Sequence, residues 1–225
     1  MKNKKGTESL ATRTKRMKAI LAILERKYPQ AEIQLQYQNP FELLVATILS
    51  AQCTDARVNI VTKELFKKYH YPSDYISAPT DELERYIFST GFYKAKAKHI
   101  QGAAKAIIER FNGEVPQTMD KLLELPGVGR KTANVVLGHC FDTPGIVVDT
   151  HVIRISNRLG FVETENAEKI EFELMTLIEK NKWWVAFTHV FIQFGRETCI
   201  ARKPKCSECE ISSFCPACEK LLHND

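Results

Sequence analysis

The 225-residue chain is 44% hydrophobic and carries a formal net charge of +5, a composition that supports one large or two small folded domains and excludes a disordered chain. The moderate positive charge permits a polyanionic partner without identifying one. Because the sequence has neither an apolar run of about 18 residues nor a signal-type segment, we expect a cytoplasmic protein.

The first predicted helix follows a basic N-terminal segment. Lysines and arginines crowd Met1 to Lys18, and we interpret the first part of this segment as a solubilising tail, with phosphate contact as the alternative. Apolar residues at helical spacing predict a helix from about Thr12 to Lys27.

A second helix, apolar on nearly all of its sides and therefore expected to be central, is predicted from Asn39 to Leu49. Asn39 can cap its first turn, Pro40 suits the first helical position, and Glu42 can complete a capping box. The helix ends in a polar stretch that contains Gln52, which the residues alone predict to cap backbone groups.

Two short amphipathic helices, Val58–Tyr69 and Thr80–Phe88, are predicted next, with turns around Pro72 and Pro79 between them. Phe92 then lies at the start of a longer helix with one apolar stripe. The stripe comprises Ile100, Ala103, Ala104, Ile107, Ile108 and Phe111. Four lysines are predicted to lie away from it, namely Lys94, Lys96, Lys98 and Lys105. An aromatic side chain beside cations can wedge between stacked bases, and a core anchor with solvated lysines is the alternative.

The centre of the chain predicts a helix, a tight turn and a second helix. The first helix, Met119–Leu125, ends before Pro126, and Gly127 and Gly129 give the turn its backbone freedom. The first N–H groups of the second helix, which begins at Arg130, have no partners within the helix and attract a phosphate. A packed helical hairpin without a ligand is the alternative.

Lys131 and Asp149 are the candidates for chemistry. Lys131 lies in the first turn of the second helix, where the helix dipole and partial desolvation disfavour its ammonium form, and a neutral amine is a nucleophile. A solvated surface cation is the alternative. Asp149 caps a predicted helix that continues to Leu159, and as an anion it can accept a proton or balance positive charge on a sugar. His151 is expected to be structural or to contact phosphate.

The C-terminal part of the chain predicts two more helices and a cysteine-rich loop. Ala167–Ile178 is amphipathic, and Trp183–Phe194 is apolar on most faces and ends at Gly195. Because no strand pattern of any length occurs, the chain is predicted to be all-α.

The loop contains four cysteines in the spacing C-x6-C-x2-C-x5-C, followed by Cys218. The four are Cys199, Cys206, Cys209 and Cys215. Their thiolates can enclose a [4Fe-4S] cluster, whereas the last four cysteines of the chain, including Cys218, can form a zinc site instead. Three basic residues between the first two cysteines are placed to touch phosphates; they are Arg202, Lys203 and Lys205.

The motif LPGVGRKTANVV at 125–136, followed by VDTH at 148–151, resembles the endonuclease III family of helix-hairpin-helix DNA glycosylases, from about Asn39 to Cys215. The resemblance implies that Lys131 is the covalent nucleophile, that Asp149 is its partner, and that Gln52 enters the DNA stack. It places Phe92 where relatives often have leucine. It also implies DNA contacts at the hairpin residues Leu125, Gly127, Val128, Gly129, Arg130 and Thr132.

The same resemblance implies two helical lobes with a DNA groove between them. Residues 33–143 would form a helical barrel lobe with the hairpin, and residues 144–225 an iron-sulfur lobe against which an N-terminal tail and helix (residues 1–32) pack. On this basis we favour the [4Fe-4S] cluster, as a structural clamp for the basic loop, and leave Cys218 unassigned.

The predicted function is base excision repair by a bifunctional DNA glycosylase and abasic-site lyase. It would remove damaged pyrimidines from duplex DNA through a lysine Schiff base and β-elimination, as a monomer associated with the nucleoid. A relative that only removes mismatched bases and a non-catalytic DNA-binding module are the alternatives. Lysine at position 131 argues against the first, because the resemblance implies that such relatives have a residue there that cannot form an imine. The second leaves the pairing of Lys131 with Asp149 without a purpose.

Overall fold

The computed structural model describes residues 8–179 and 183–222, and within these ranges every regular element is helical. The α-helices are α1 Leu10–Lys27, α2 Pro40–Leu49, α3 Asp55–Lys68, α4 Pro72–Ser77, α5 Thr80–Ile87, α6 Tyr93–Arg110, α7 Met119–Leu123, α8 Arg130–Cys140, α9 Thr150–Arg158, α10 Ala167–Leu177, α11 Trp183–Glu197 and α12 Cys218–Leu222. The predicted all-α class is confirmed. None of the helices described is long and apolar enough to cross a membrane.

The chain divides into two compact units. The first, here called the central unit, comprises Ile33–Thr143. The second, here called the composite unit, combines Met1–Glu32 with Pro144–Asp225.

In the central unit, α2 is the buried helix that the sequence predicted, and it packs against α3, α6 and α8. The Asn39 side chain accepts the Glu42 N–H at 2.9 Å and caps α2. Glu42 in turn accepts the N–H of Gln38 at 2.7 Å, one residue before the position of a standard capping box. Apolar residues from Phe41 to Leu49 are buried on every side of α2. The helix therefore holds the helices packed against it in position.

Several expectations for the central unit are wrong. The segment around Pro72 is the short helix α4 rather than a turn, because Pro72 starts it and Asp74 accepts the N–H groups of His70 and Tyr71 at 2.8 and 2.9 Å. Lys96 does not lie away from the apolar stripe of α6, since the side chain is only 4% exposed. The outer part of the stripe is less buried than predicted, with Ile108 40% exposed.

The composite unit is built around α1, α9, α10 and α11. Met17, Ile20, Leu21 and Leu24 of α1 are buried, as their spacing predicted, and α1 packs against α10 and α11. Residues 1–7 of the predicted tail lie outside the described residues. Arg16 of the same basic segment is structural: its guanidinium donates to the carbonyl of Leu159 at 2.7 Å.

Gly195 does not end α11, which continues to Glu197. A Cβ at this position would lie 2.7 Å from Cδ2 of His151 and 2.9 Å from the Arg154 guanidinium. The glycine is therefore required by the close packing of α9 against α11, and this tertiary contact outweighs its weak helix propensity.

Candidate functional site

The tight turn between α7 and α8 in the central unit requires a glycine at position 127. Gly127 has a φ of +77°, and a Cβ there would lie 2.6 Å from Cβ of His99 on α6. The N–H of Val128 donates to the carbonyl of Leu125 at 3.1 Å and closes the turn. Leu125 and Val128 are both buried, at 2% and 7% exposure, so they hold the turn in place, and the DNA contact predicted for them stays a prediction.

The start of α8 is open toward the outside. Its N-cap residue is Gly129, with no capping side chain, and a Cβ at this position would meet no atom within 4 Å. The first backbone N–H groups of a helix have no partners within it and carry the positive end of its dipole. A phosphate oxygen can therefore approach them directly, which is the function that the sequence predicted for this turn.

Lys131 lies in this first turn and its side chain is exposed. The opposite face of α8 is buried through Ala133, Val136 and Leu137, while Thr132 is half-buried. The partial desolvation predicted for the Lys131 amine is therefore wrong for the protein alone. The placement is compatible with the predicted nucleophile, because an exposed amine beside a turn that can bind phosphate would reach the sugar of a strand held there.

Gln52 and Phe92 both lie in loops of the central unit, and both side chains are exposed, Phe92 to 66%. Both residues adopt left-handed backbone conformations, with φ values of 54° and 49°. Such conformations are uncommon for residues other than glycine and cluster at binding sites. Phe92 is therefore not the core anchor that was its alternative interpretation.

In the composite unit, Asp149 is the N-cap of α9, as predicted. One carboxylate oxygen accepts the N–H groups of His151 and Val152, each at 2.9 Å. The other lies 2.9 Å from Nδ1 of the His151 imidazole. With its side chain only 13% exposed, the carboxylate is held in one orientation. His151 supports Asp149, which agrees with its predicted structural role.

Two arginines of α9, which the sequence analysis did not single out, hold the start of the cysteine loop. Arg158 donates to the carbonyls of Ile200 and Ala201, each at 2.8 Å, and to Sγ of Cys199 at 3.2 Å. Arg154 donates to the carbonyl of Cys199 at 3.0 Å. The signal available in the sequence was their spacing of four residues, which puts both guanidinium groups on one face of the helix that Asp149 starts.

The cysteine side chains fit an iron-sulfur cluster. Five of them line one open pocket, together with apolar residues such as Phe194 and Ile211. The five are Cys199, Cys206, Cys209, Cys215 and Cys218. Burial raises the pKa of the Cys206 thiol to about 11, and the charges of the other four act in the same direction. Cationic iron ions would relieve this mutual repulsion.

Two sets of four thiolates are available to a metal centre in this loop. Cys199, Cys206, Cys209 and Cys215 would hold a [4Fe-4S] cluster, each thiolate binding an iron of its own. Cys206, Cys209, Cys215 and Cys218 would hold a single zinc ion, with every thiolate about 2.3 Å from it.

The basic loop between Cys199 and Cys206 presents its cations to the outside. Arg202, Lys203 and Lys205 are exposed, and Lys203 has a left-handed φ of 50°. The N–H of Lys205 donates to the carbonyl of Thr198 at 3.0 Å, which anchors the end of the loop. Exposed cations of this kind can contact phosphates, and such contacts stay a prediction for this loop.

Comparisons with known proteins agree with this geometry. Residues 45–180 match the HhH-GPD superfamily of base excision DNA repair proteins, and residues 199–215 match the iron-sulfur binding domain of endonuclease III. The endonuclease III of Synechocystis sp. is 50% identical over 93% of this chain and 96% of its own length. The enzyme of Escherichia coli K12 is 41% identical over 90% and 95%.

Two solved structures share the fold closely. A non-covalent endonuclease III–DNA complex and a trapped endonuclease III–DNA covalent intermediate each superimpose with a TM-score of 0.88 at 46% identity. Each covers 93% of this chain and 98% of the solved chain.

Proposed function

This chain belongs to the endonuclease III family of base excision DNA glycosylases with abasic-site lyase activity, and from this premise we propose that Lys131 is the nucleophile of both reactions. The observation that carries the proposal is the position of an exposed lysine in the first turn of α8, directly after a glycine N-cap that leaves the helix start accessible. The backbone N–H groups bind the phosphate, and the amine then faces the adjoining deoxyribose.

The reaction begins with extrusion of a damaged pyrimidine from the duplex, which costs a few kcal/mol and is easiest for a weakly stacked base. Gln52 and Phe92 fill the space that the base leaves. A related endonuclease III has been solved as a DNA complex, and we infer that this chain binds damaged duplex DNA in the same way.

The nucleophile in this proposal is the unprotonated form of the Lys131 amine. Its nitrogen forms a bond to C1′ as the glycosidic bond breaks, and the base leaves with the bonding electron pair and takes up a proton. The resulting sugar–lysine adduct opens to a Schiff base. Loss of a C2′ proton and cleavage of the C3′–O bond then break the strand on the 3′ side. Asp149 accepts a proton from the amine and stabilises positive charge on the sugar.

The [4Fe-4S] cluster has a structural role in this proposal. When bound by Cys199, Cys206, Cys209 and Cys215, it supplies a rigid cross-link for the loop. The chain itself then places Arg202, Lys203 and Lys205 against the phosphate backbone. His151 orients Asp149, and Arg130 and Thr132 flank the nucleophile at the helix start.

Borohydride trapping tests the proposal. The protein is incubated with duplex DNA that carries thymine glycol or an abasic site, and reduction converts a Schiff base into a stable covalent adduct. Lys131→Gln is expected to abolish the adduct, whereas Lys121→Gln, a charge-matched change at another exposed lysine, should leave it intact. Trapping that persists in Lys131→Gln would reject the assignment. Excision without trapping in the wild type indicates a monofunctional glycosylase, and binding without excision a DNA-binding module.

The oligomeric state, the cellular location and the lesion preference are also proposals. We infer that the protein acts as a monomer in the cytoplasm, associated with the nucleoid, because its substrate is chromosomal DNA and one chain supplies every residue named above. Size-exclusion chromatography with and without DNA tests the monomer. A duplex panel with single oxidised pyrimidines measures the lesion preference, and equal activity on undamaged pyrimidines would contradict the damage specificity.

A further inference from the structure

A buried lysine joins the two loops that carry Gln52 and Phe92. The ammonium group of Lys96 donates to the carbonyl of Leu49 at 2.8 Å and to the carbonyl of Thr90 at 2.8 Å. Leu49 is the last residue of α2, three positions before Gln52. Thr90 ends a single 3₁₀ turn, two positions before Phe92.

Burial of the Lys96 ammonium group is energetically costly. With 4% of its surface exposed, Lys96 has given up the hydration that a lysine normally keeps, and this burial lowers the pKa of its ammonium group. Compensation comes from the end of α2, where the Leu49 carbonyl has no partner within the helix and the dipole is negative. An apolar side chain would fill the same space without this cost, so the charge serves a purpose beyond packing.

The hydrogen bonds around Lys96 help to fix the conformations of the two loops. Its backbone N–H donates to the carbonyl of Phe92 at 3.0 Å, which fixes the residue that caps α6. Thr90 is itself buried and donates its hydroxyl to the carbonyl of Ile87 at 2.8 Å. The ammonium therefore links a firmly held turn on one side to the end of the central helix on the other. Gln52 and Phe92 both adopt left-handed conformations directly beyond these two anchors.

We propose that Lys96 is a positioning residue for base extrusion, which holds the Gln52 loop and the Phe92 loop at a fixed separation so that both side chains enter the duplex together. The inference rests on the proposed functions of Gln52 and Phe92. It assigns Lys96 no contact with the reacting atoms, because its ammonium group is occupied by backbone carbonyls inside the central unit.

The test compares two reactions of one enzyme. Lys96→Met keeps the length of the side chain but removes both donated hydrogen bonds. Excision of thymine glycol from duplex DNA under single-turnover conditions is expected to fall about 10- to 100-fold, since small errors in the position of a group cost this much. Strand cleavage at a preformed abasic site, where no base has to be extruded, should fall much less. Lys105→Met, at an exposed position of the same helix, controls for the lost charge.

A merely structural function of Lys96 gives a different pattern. Loss of folded protein lowers both reactions in proportion, and this outcome, or wild-type excision in Lys96→Met, overturns the inference. If Lys96→Met does not fold, Lys96→Gln carries the same comparison, because its amide retains a donor for one of the two carbonyls.

A double-mutant comparison separates this inference from the functions on which it rests. In a Gln52→Ala/Phe92→Ala background, Lys96→Met should cause no further loss of excision, because its effect passes through those side chains. A full additional loss overturns the inference alone. Wild-type excision by Gln52→Ala/Phe92→Ala itself overturns the proposed functions of Gln52 and Phe92, and the Lys96 inference with them.

Discussion

Replacing Gly127 and Gly129 by alanine should separate the two functions of the hairpin turn. Both glycines lie in the same short motif, yet their surroundings differ. Gly127 has a φ of +77° and packs against α6, whereas Gly129 has a φ of −98° and faces open space. We expect Gly127→Ala to destabilise the fold and Gly129→Ala to weaken DNA binding without destabilisation.

The cost at position 127 has two parts. A residue with a Cβ loses about 1–2 kcal/mol in the left-handed region. The new methyl group would also lie 2.6 Å from Cβ of His99, and overpacking of this kind costs about 1–3 kcal/mol. The sum is about 2–5 kcal/mol, and shortening His99 to alanine should recover little of it, because the nearest atom, Cβ, remains.

At position 129 the backbone conformation is open to any residue and the added methyl group meets no protein atom. It would instead hold a phosphate away from the N–H groups of α8. Loss of one charge-assisted hydrogen bond is worth about 1.5–3 kcal/mol, which corresponds to a loss of affinity of about tenfold or more.

Two measurements on each variant test this reasoning. Thermal unfolding should show a melting temperature lowered by at least about 5 °C for Gly127→Ala and unchanged for Gly129→Ala. Binding to duplex DNA with a non-cleavable abasic-site analogue should be weakened for Gly129→Ala at a temperature where both proteins are folded. Equal stability of the two variants, or wild-type affinity of Gly129→Ala, would refute the account of the turn.

Three further predictions concern the composite unit. Asp149→Asn keeps a capping oxygen but removes the charge, so the melting temperature should change little while single-turnover excision falls about 100-fold or more; activity near that of the wild type would exclude Asp149 as proton acceptor. Arg158→Ala removes the hydrogen bonds to Ile200 and Ala201, and iron should be lost faster to a chelator, measured by the decay of visible absorption. Arg158→Lys should not restore the retention of iron, because one ammonium group cannot replace the planar, forked donors of a guanidinium group. Cys218→Ser should retain four irons per chain in metal analysis, whereas Cys215→Ser should not. Zinc in the wild type, or loss of iron in Cys218→Ser, would contradict the four cysteine ligands proposed for the cluster.

The elements that the sequence predicted well are those where local chemistry and burial agree. The apolar spacing of Met17, Ile20, Leu21 and Leu24 places one face of α1 in the core, and the structure has it there. Asn39 and Pro40 mark the start of α2 because an N-cap oxygen and a fixed φ both favour a helix at that point. Helices of this kind can be predicted from neighbouring residues alone, without knowledge of tertiary contacts.

Lys96 shows why the remaining elements could not be predicted. Its position, four residues before Ile100, places it on the buried stripe of α6, whereas its residue type predicts exposure. The outcome depends on the Leu49 carbonyl, 47 positions earlier in the chain. Gly195 is a similar case, because the packing of His151 that requires a glycine within a helix comes from α9.

Helix α9 connects the carboxylate to the cysteine loop within the composite unit. Asp149 starts the helix and Arg158 ends it, so the two are about 13 Å apart along the axis at 1.5 Å per residue. Local N–H groups hold the Asp149 carboxylate. Arg154 and Arg158 instead hold the loop, because they donate hydrogen bonds to its backbone carbonyls. If the cluster cross-links the loop as proposed, its loss should loosen the basic loop and weaken DNA binding, while the local N–H groups still hold Asp149. This separation supports the structural function proposed for the cluster, because the proposed chemistry uses the amine of Lys131 and the carboxylate of Asp149.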